Sequence, residues 1–313
     1  LWKEPLFHQS MAASLIPALF MNLYITGLNQ VTDVEIDKIN KPYLPIAAGR
    51  LSKSNGIAIV LGSLFLSLCN IHKAAWPLKS TLLGSALLGT AYSLPPFRLK
   101  RFPLLAAFCI LVVRGSLVNL GFFLQAKSVV LGESIPVPTW NLFSLMNIGK
   151  IYPEAAIVTG FFAIFGLVIA LMKDVPDIRG DIEYKIPSFS VKLGAKRMFR
   201  ISKNILVGLL LMASATTLWS SQVFSSLWSA PITTTSGGAI AGLVGTVSSS
   251  SRLSPVSQCW RVVLSAVLGG CAWDVRKRAR KVEADSPERV FDFYMYIWNI
   301  FYLCYFLLPV LRI

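Results

Sequence analysis

Asn29, Asp33 and Asp37 recur at intervals of four in NQVTDVEID (29–37), and Asp174, Asp177 and Asp181 stand together in DVPDIRGD (174–181). On an α-helix a spacing of four keeps side chains on one side, and two such steps cover about 12 Å. Pro176 and Gly180 argue against one undisturbed helix through the second group, so a helix is expected to kink or end there. Carboxylates crowded in this way repel one another and need positive charge to stay ionised. With no His or Cys beside them, the donor set favours a hard cation bound through oxygen. Mg²⁺ in particular takes one or two carboxylates together with the phosphates of a substrate. Two such groups facing each other would hold two or more Mg²⁺ ions around a diphosphate. The competing structural reading is that these acids cap helices or pair with nearby lysines. That reading suits a single cluster better than two at matched depth.

What positions these residues is expected to be a polytopic, all-α bundle of transmembrane helices. Only 15 of 313 residues are Asp or Glu, charged residues make up 14% and apolar ones 54%, with a mean hydropathy of +0.61. Soluble domains carry about 25% charged residues. Segments of the roughly 20 residues that cross a bilayer are expected near 10–30, 55–73, 78–93, 104–125, 153–173, 203–219, 258–273 and 291–311. No long polar linker divides them, so residues 1–313 are read as one domain. The formal charge is +15, which raises the question of nucleic acid. However, 21 of the 30 Lys and Arg fall in the segments joining spans 1–2, 3–4, 5–6 and 7–8. One face is therefore strongly basic and belongs on the cytosolic or equivalent side, and nucleic-acid binding is not expected. Counting the Gly-rich stretch 232–247 as a further span would move the 276–281 basic cluster to the other face, so it is read as a loop or re-entrant piece.

Spans 1 and 5 have the same parity, so both acidic groups are expected to open onto the basic face. That suits an anionic substrate whose other end is greasy enough to lie among helices. Arg114 falls inside span 4, where a charge is costly and usually functional. It is read as a pocket residue, with a buried pairing to an acidic neighbour as the alternative. The Cys residues show no CxxC spacing and the two His, His8 and His72, are far apart, so neither disulfides nor a zinc site is expected. No signal peptide is visible, and a start at Leu1 without Met leaves room for a targeting segment ahead of it.

The same strings resemble the UbiA-type intramembrane prenyltransferases, whose first motif, N-x-x-x-D-x-x-x-D, stands here as NQVTDVEID, and whose second Asp-rich motif matches DVPDIRGD. GLNQVTDVEIDKINKPYLPIAAG (27–49), GTAYSLPPFRLKRFPLLAAFCILVVRG (89–115), KDVPDIRGD followed by SFSVKLG (188–194), and FYMYIWNIFYLCYFLLP (293–309) are similar to the homogentisate prenyltransferases of plants, algae and cyanobacteria. The resemblance implies that Asn29, Asp33, Asp37, Asp174, Asp177 and Asp181 hold Mg²⁺ and diphosphate. It implies that Lys41, Lys100 and Arg101 face the diphosphate, that Tyr92 helps orient the reacting groups, and that Lys192 is a further, weaker candidate. The implied reaction moves a phytyl, geranylgeranyl or solanesyl group from its diphosphate to homogentisate, with loss of the acceptor's carboxyl group, on the way to tocopherol or plastoquinone. The implied setting is a plastid membrane. Phe97, Phe108, Phe122 and Phe123 would suit an isoprenoid wall, although aromatics in spans are more often plain packing. Two departures stand out: the family's first helix has no counterpart before Leu1, and 220–257 looks like a lineage-specific insertion. Other readings are a cation-coupled transporter, a family member with another acceptor or a cyclase activity, and a CDP-alcohol phosphotransferase, whose D-G-x-x-A-R signature is missing.

Overall fold

Helices are the regular elements of the described residues. The structure, a computed structural model, describes residues 5–69, 71–135, 152–219 and 255–307. Helix α1 runs over Pro5–Thr32, 28 residues, or about 42 Å of rise. The short α2 (Val34–Asn40), α3 (Lys53–Leu68) and α4 (Trp76–Ser93) follow. Next come α5 (Pro103–Ile110), a π-helical stretch (Leu111–Leu117) and α6 (Val118–Val130) in one continuous rod. Helix α7 covers Pro153–Lys173, with the short α8 (Ile178–Glu183) and α9 (Phe189–Leu193) after it. Three long helices close the order: α10 (Ala195–Trp219), α11 (Pro255–Ala279) and α12 (Pro287–Leu307). Local chemistry marks several starts. Pro opens α4, α5 and α7, where its missing N–H costs nothing, and Ser52 Oγ caps α3 by accepting from Asn55 N at 3.2 Å.

Among the described residues, six helices are long and apolar enough to cross a membrane: Pro5–Thr32, Lys53–Lys73, Pro103–Val130, Ala155–Lys173, Ala195–Leu218 and Pro287–Leu307. The expected spans at 78–93 and 258–273 are helical, within α4 and α11, but fall short of that apolar standard. The reason is visible in their side chains. Helix α4 turns Thr81, Ser85 and Ser93 inward, and α11 carries Arg261 within the expected span before finishing in Arg276, Lys277 and Arg278. Much of the outer surface is apolar, with Leu19, Leu61, Phe65, Leu104 and Phe306 exposed. Small and hydroxyl side chains, meanwhile, join helices inside, as expected where lipid replaces water as solvent. Tyr24 Oη and Thr90 Oγ1 lie 2.6 Å apart between α1 and α4, and Ser214 Oγ and Ser265 Oγ lie 2.9 Å apart between α10 and α11. Most of the expected insertion, and all of 232–247, lie outside the described residues.

Among the described residues two larger apolar cores form, with a small third one around Leu124 and Ile135. One gathers Met21, Tyr24, Leu28, Val60, Leu78 and Leu82 from α1, α3 and α4. The other gathers side chains of α7, α10, α11 and α12, with Phe165, Val168, Leu206, Leu268 and Ile297 fully shielded. The π-helical stretch joins them. Its widened turn frees backbone carbonyls, and side chains take these up: Thr81 Oγ1 donates to Leu117 O at 3.0 Å, and Asn119 Nδ2 donates to Arg114 O at 2.7 Å and Gly115 O at 3.0 Å. Gly115 lies so close to α7 that a Cβ there would stand 2.8 Å from Ala163 Cα.

Candidate active site

Helix α1 delivers Asn29 at its last turn and then breaks. Asp33 leaves helical geometry, with φ −114° and ψ 19°, and α2 restarts after it with Asp37 buried. The unbroken helix expected through this motif is thus interrupted at its middle acid. Register survives the break, because Asp33 N still donates to Asn29 O at 3.1 Å and Asp37 N to Asp33 O at 2.8 Å. The three side chains consequently remain on one cavity. The break has a physical cause in what Asp33 touches. Arg98 Nη2 donates to its Oδ1 at 3.0 Å, and Lys100 Nζ donates to its Oδ2 at 2.6 Å. Lys100 Nζ also donates to Asn29 Oδ1 at 2.9 Å and Thr32 Oγ1 at 3.2 Å. Both cations come from the loop after α4. There Arg98 holds a left-handed backbone, φ 38° and ψ 54°, a conformation a non-glycine residue keeps only when its surroundings demand it.

The second group behaves as its Pro and Gly foretell. Helix α7 ends at Lys173, a turn carries Asp174 and Asp177, and α8 begins at Ile178. Two contacts tie this turn to the first motif 136 and 140 residues away. Lys41 Nζ donates to Asp177 Oδ2, and Gly180 N donates to Asn40 Oδ1 at 2.9 Å. A Cβ at position 180 would come within 2.7 Å of Asn40 Cγ, so only glycine lets these segments approach. Ser188, which also caps α9, lines the same cavity as Asp181.

All six expected metal and diphosphate residues line a single cavity of about 90 Å³, together with Lys41, Arg98, Lys100, Arg101 and Lys173. Burial pushes Asp37 up to about 6, with the charges of Asp33 and Asp177 adding to it and Lys41 opposing it. Asp174 also rises to about 6 by burial, reinforced by Asp177 and Asp181 and opposed by Lys173. Burial lowers Lys100, and Asp33 offsets part of that. The acids therefore have more negative charge than their environment comfortably holds. A second cavity of about 340 Å³ adjoins the first and shares Asn29, Asp37, Lys41, Tyr92 and Lys173 with it. Deeper in, its walls are aliphatic, including Ile25, Leu88, Ile110, Val113 and Ile169, and Arg114 projects into it with the guanidinium carbon 5.0 Å from the Trp298 ring centre.

Several expectations need correcting. Lys192 is exposed and lines neither cavity, because α9 turns it to the outside. Arg101 reaches the rim, while its neighbour Arg98 makes the ion pair to Asp33. Among the described residues Arg114 has no carboxylate partner, only the Trp298 face. Phe97 and Phe108 are exposed and Phe122 and Phe123 pack elsewhere, so the apolar wall is formed instead by aliphatic side chains together with Tyr294 and Trp298. The spacing pattern passed over Arg98, Lys173 and Asn40. A short basic loop and a lysine next to Asp174 were the available signals, but neither says which cation turns inward.

The donors at the cavity suit a magnesium–diphosphate unit. They are oxygen-only and hard, and they outnumber the one or two carboxylates a phosphate-bridged Mg²⁺ needs. No three His, Cys, Asp or Glu side chains among the described residues form a ready-made cage, so phosphate oxygens would have to complete the coordination. Among the described residues, Arg98 Nε is buried without an acceptor, an unmet donor of the kind an anionic oxygen satisfies.

A family profile described as the UbiA prenyltransferase family matches residues 2–261. The chain is 38% identical over 312 residues to homogentisate phytyltransferase 1, chloroplastic, of Arabidopsis thaliana, covering 99% of this chain and 67% of that protein. It is 36% identical over 299 residues to homogentisate geranylgeranyltransferase of Triticum aestivum, covering 95% of this chain and 61% of that one. The chain thus spans about two thirds or less of the length of these relatives. In fold it is similar to a UbiA homolog from Archaeoglobus fulgidus bound to GPP and Mg²⁺, with a TM-score of 0.53 at 15% identity over 97% of this chain and 88% of that one.

Proposed function

Because the chain belongs to the UbiA prenyltransferase family, we propose that it transfers a long prenyl group from its diphosphate to homogentisate within a membrane. The observation that carries this reading is the joining of both aspartate groups on one small polar cavity that opens into a larger apolar one. A phosphorylated head with a hydrocarbon tail matches that sequence of surfaces. In this reading, Asn29, Asp33, Asp37, Asp174, Asp177 and Asp181 hold Mg²⁺, which supplies Lewis-acid stabilisation of the leaving diphosphate when bound. Lys41, Arg98, Lys100 and Lys173 neutralise the diphosphate oxygens as the allylic C–O bond breaks. The electron pair leaves with the diphosphate, and the allylic carbon becomes cationic. The acceptor ring then attacks that carbon to form the new C–C bond and gives up the proton of the attacked ring carbon, while the side chain loses its carboxylate as CO₂ and takes up one proton to become a methyl group. Aliphatic walls keep water from the cation in the meantime. Tyr92 lies on both cavities and helps to orient the reacting groups. Arg114 receives the acceptor's carboxylate, since an arginine at that depth with no acidic partner among the described residues calls for an anion.

The setting we assign is a plastid membrane. Phytyl is the donor we favour, and near-equal identity to a phytyl and a geranylgeranyl enzyme leaves chain length to experiment. The reading is tested by incubating the chain with labelled homogentisate and phytyl, geranylgeranyl or solanesyl diphosphate, with Mg²⁺ or with EDTA. Prenylated methylquinol formed only with Mg²⁺ is the expected product. Equal product under EDTA would refute the metal role, and no product with any donor would refute the transferase.

A further inference from the structure

A concavity of about 480 Å³ opens between the end of α11 and the start of α12, away from the carboxylate cavity. Lys277, Arg278, Lys281 and Arg289 line it, against the carboxylates of Asp274 and Asp292. Asp274 is already engaged, its Oδ2 accepting from Arg278 Nε at 2.8 Å and from Tyr296 Oη at 2.5 Å. Arg289 meets Glu283 at 3.5 Å with both side chains more than half exposed, a geometry that contributes little. Among the described residues, neither Lys277 nor Lys281 has a carboxylate partner. Lys277 Nζ instead lies 4.8 Å from the centre of the Trp273 ring.

Two ordinary reasons account for positive charge here. Lys and Arg favour the carboxyl end of a helix through its dipole, and they gather on the cytosolic side of a membrane protein. Neither requires cations from two helices to converge on one hollow. Trp273 and Lys277, spaced by four, share one side at the end of α11, and Lys281 follows in the turn just past Ala279. Trp273 is 64% exposed, and an exposed indole at the end of a span sits at headgroup depth, where lysines reach upward along their stems. An anion available at that depth, with several acceptor oxygens and an apolar tail to lie beside the helices, is a lipid. We propose that this hollow binds the phosphate headgroup of an anionic phospholipid, with Lys277, Lys281 and Arg289 as its donors and Trp273 against the glycerol region.

The test uses the full chain, delipidated in detergent and given equimolar phosphatidylglycerol and phosphatidylcholine, with bound lipid read by native mass spectrometry. Phosphatidylglycerol is expected to be retained about fivefold over phosphatidylcholine, and the Lys277→Gln, Lys281→Gln double variant to bring the two near parity. Arg289→Gln, on the opposite wall, is expected to lower the preference too and serves if the double variant fails to insert. Equal retention of both lipids by the parent chain, or an unchanged preference in the variants, overturns the proposal. Millimolar inorganic phosphate is expected to leave the lipid bound. Displacement would make a water-borne phosphate the ligand and overturn the lipid assignment.

Discussion

Asp33 accepts from Arg98 and Lys100 at once, so it ties the first motif to the basic loop after α4. Asp33→Asn keeps its shape and removes its charge, and Asp177→Ala removes the acid that Lys41 holds. Both are expected to lower prenyl transfer by at least about 10²-fold while the protein still extracts and elutes like the parent. Turnover equal to the parent in either would count against the assignment. Arg98 separates two effects. Its left-handed backbone costs roughly 1–3 kcal/mol, which glycine would not incur. Arg98→Gly is therefore expected to leave thermal stability near that of the parent while raising KM for the prenyl diphosphate about tenfold or more, as loss of a charge-assisted hydrogen bond implies. Arg114→Gln is expected to raise KM for homogentisate by roughly tenfold. A hydroquinone lacking the carboxylate should be used equally by parent and variant, which an effect on packing alone would not produce.

At the scale of elements, the link between α2 and α8 rests on Gly180 N donating to Asn40 Oδ1. Gly180→Ala is expected to displace Asn40, part the two aspartate groups and cut turnover about tenfold or more, since small misplacements at a reacting centre are costly. Helical content by circular dichroism should stay unchanged. Much of this arrangement was legible in the sequence. Spacing by four put Asn29, Asp33 and Asp37 on one cavity, the parity of basic loops put both acidic groups on one face, and Pro176 with Gly180 announced the turn after α7. What stayed hidden were matters of direction in short, irregular segments. Arg98, Lys100 and Arg101 crowd one tight turn, and composition does not tell which of them points inward. Lys192 follows the second motif closely in sequence, yet the rotation of a five-residue helix turns it outward. The break at Asp33 was hidden too, because it comes from ion pairs made with residues 65 and 67 positions away. Helices α4 and α11 show the converse. Their polar residues weaken the hydropathy signal because they face protein or the basic surface.

On the scale of the whole molecule, the bundle has one apolar core under the first aspartate group and another under the second. Near Gly115 the two halves meet backbone against side chain. At the basic end they meet through the Lys41–Asp177 ion pair and the Asn40–Gly180 hydrogen bond. Contacts of the second kind lend less resistance to local opening than shielded apolar packing does. Amide hydrogen exchange in α2 and α8 is expected to be faster than in the middle of α1 and α7, and to slow when a prenyl diphosphate analogue is added with Mg²⁺. Unchanged exchange in α2 and α8 on addition would argue against their closing on the substrate. The tight seam at Gly115 leaves the halves no slack there, so any parting of the two is confined to the end where α2 faces α8. The 90 Å³ between them is then the part of the site free to widen, and neither half has to unfold for it to do so.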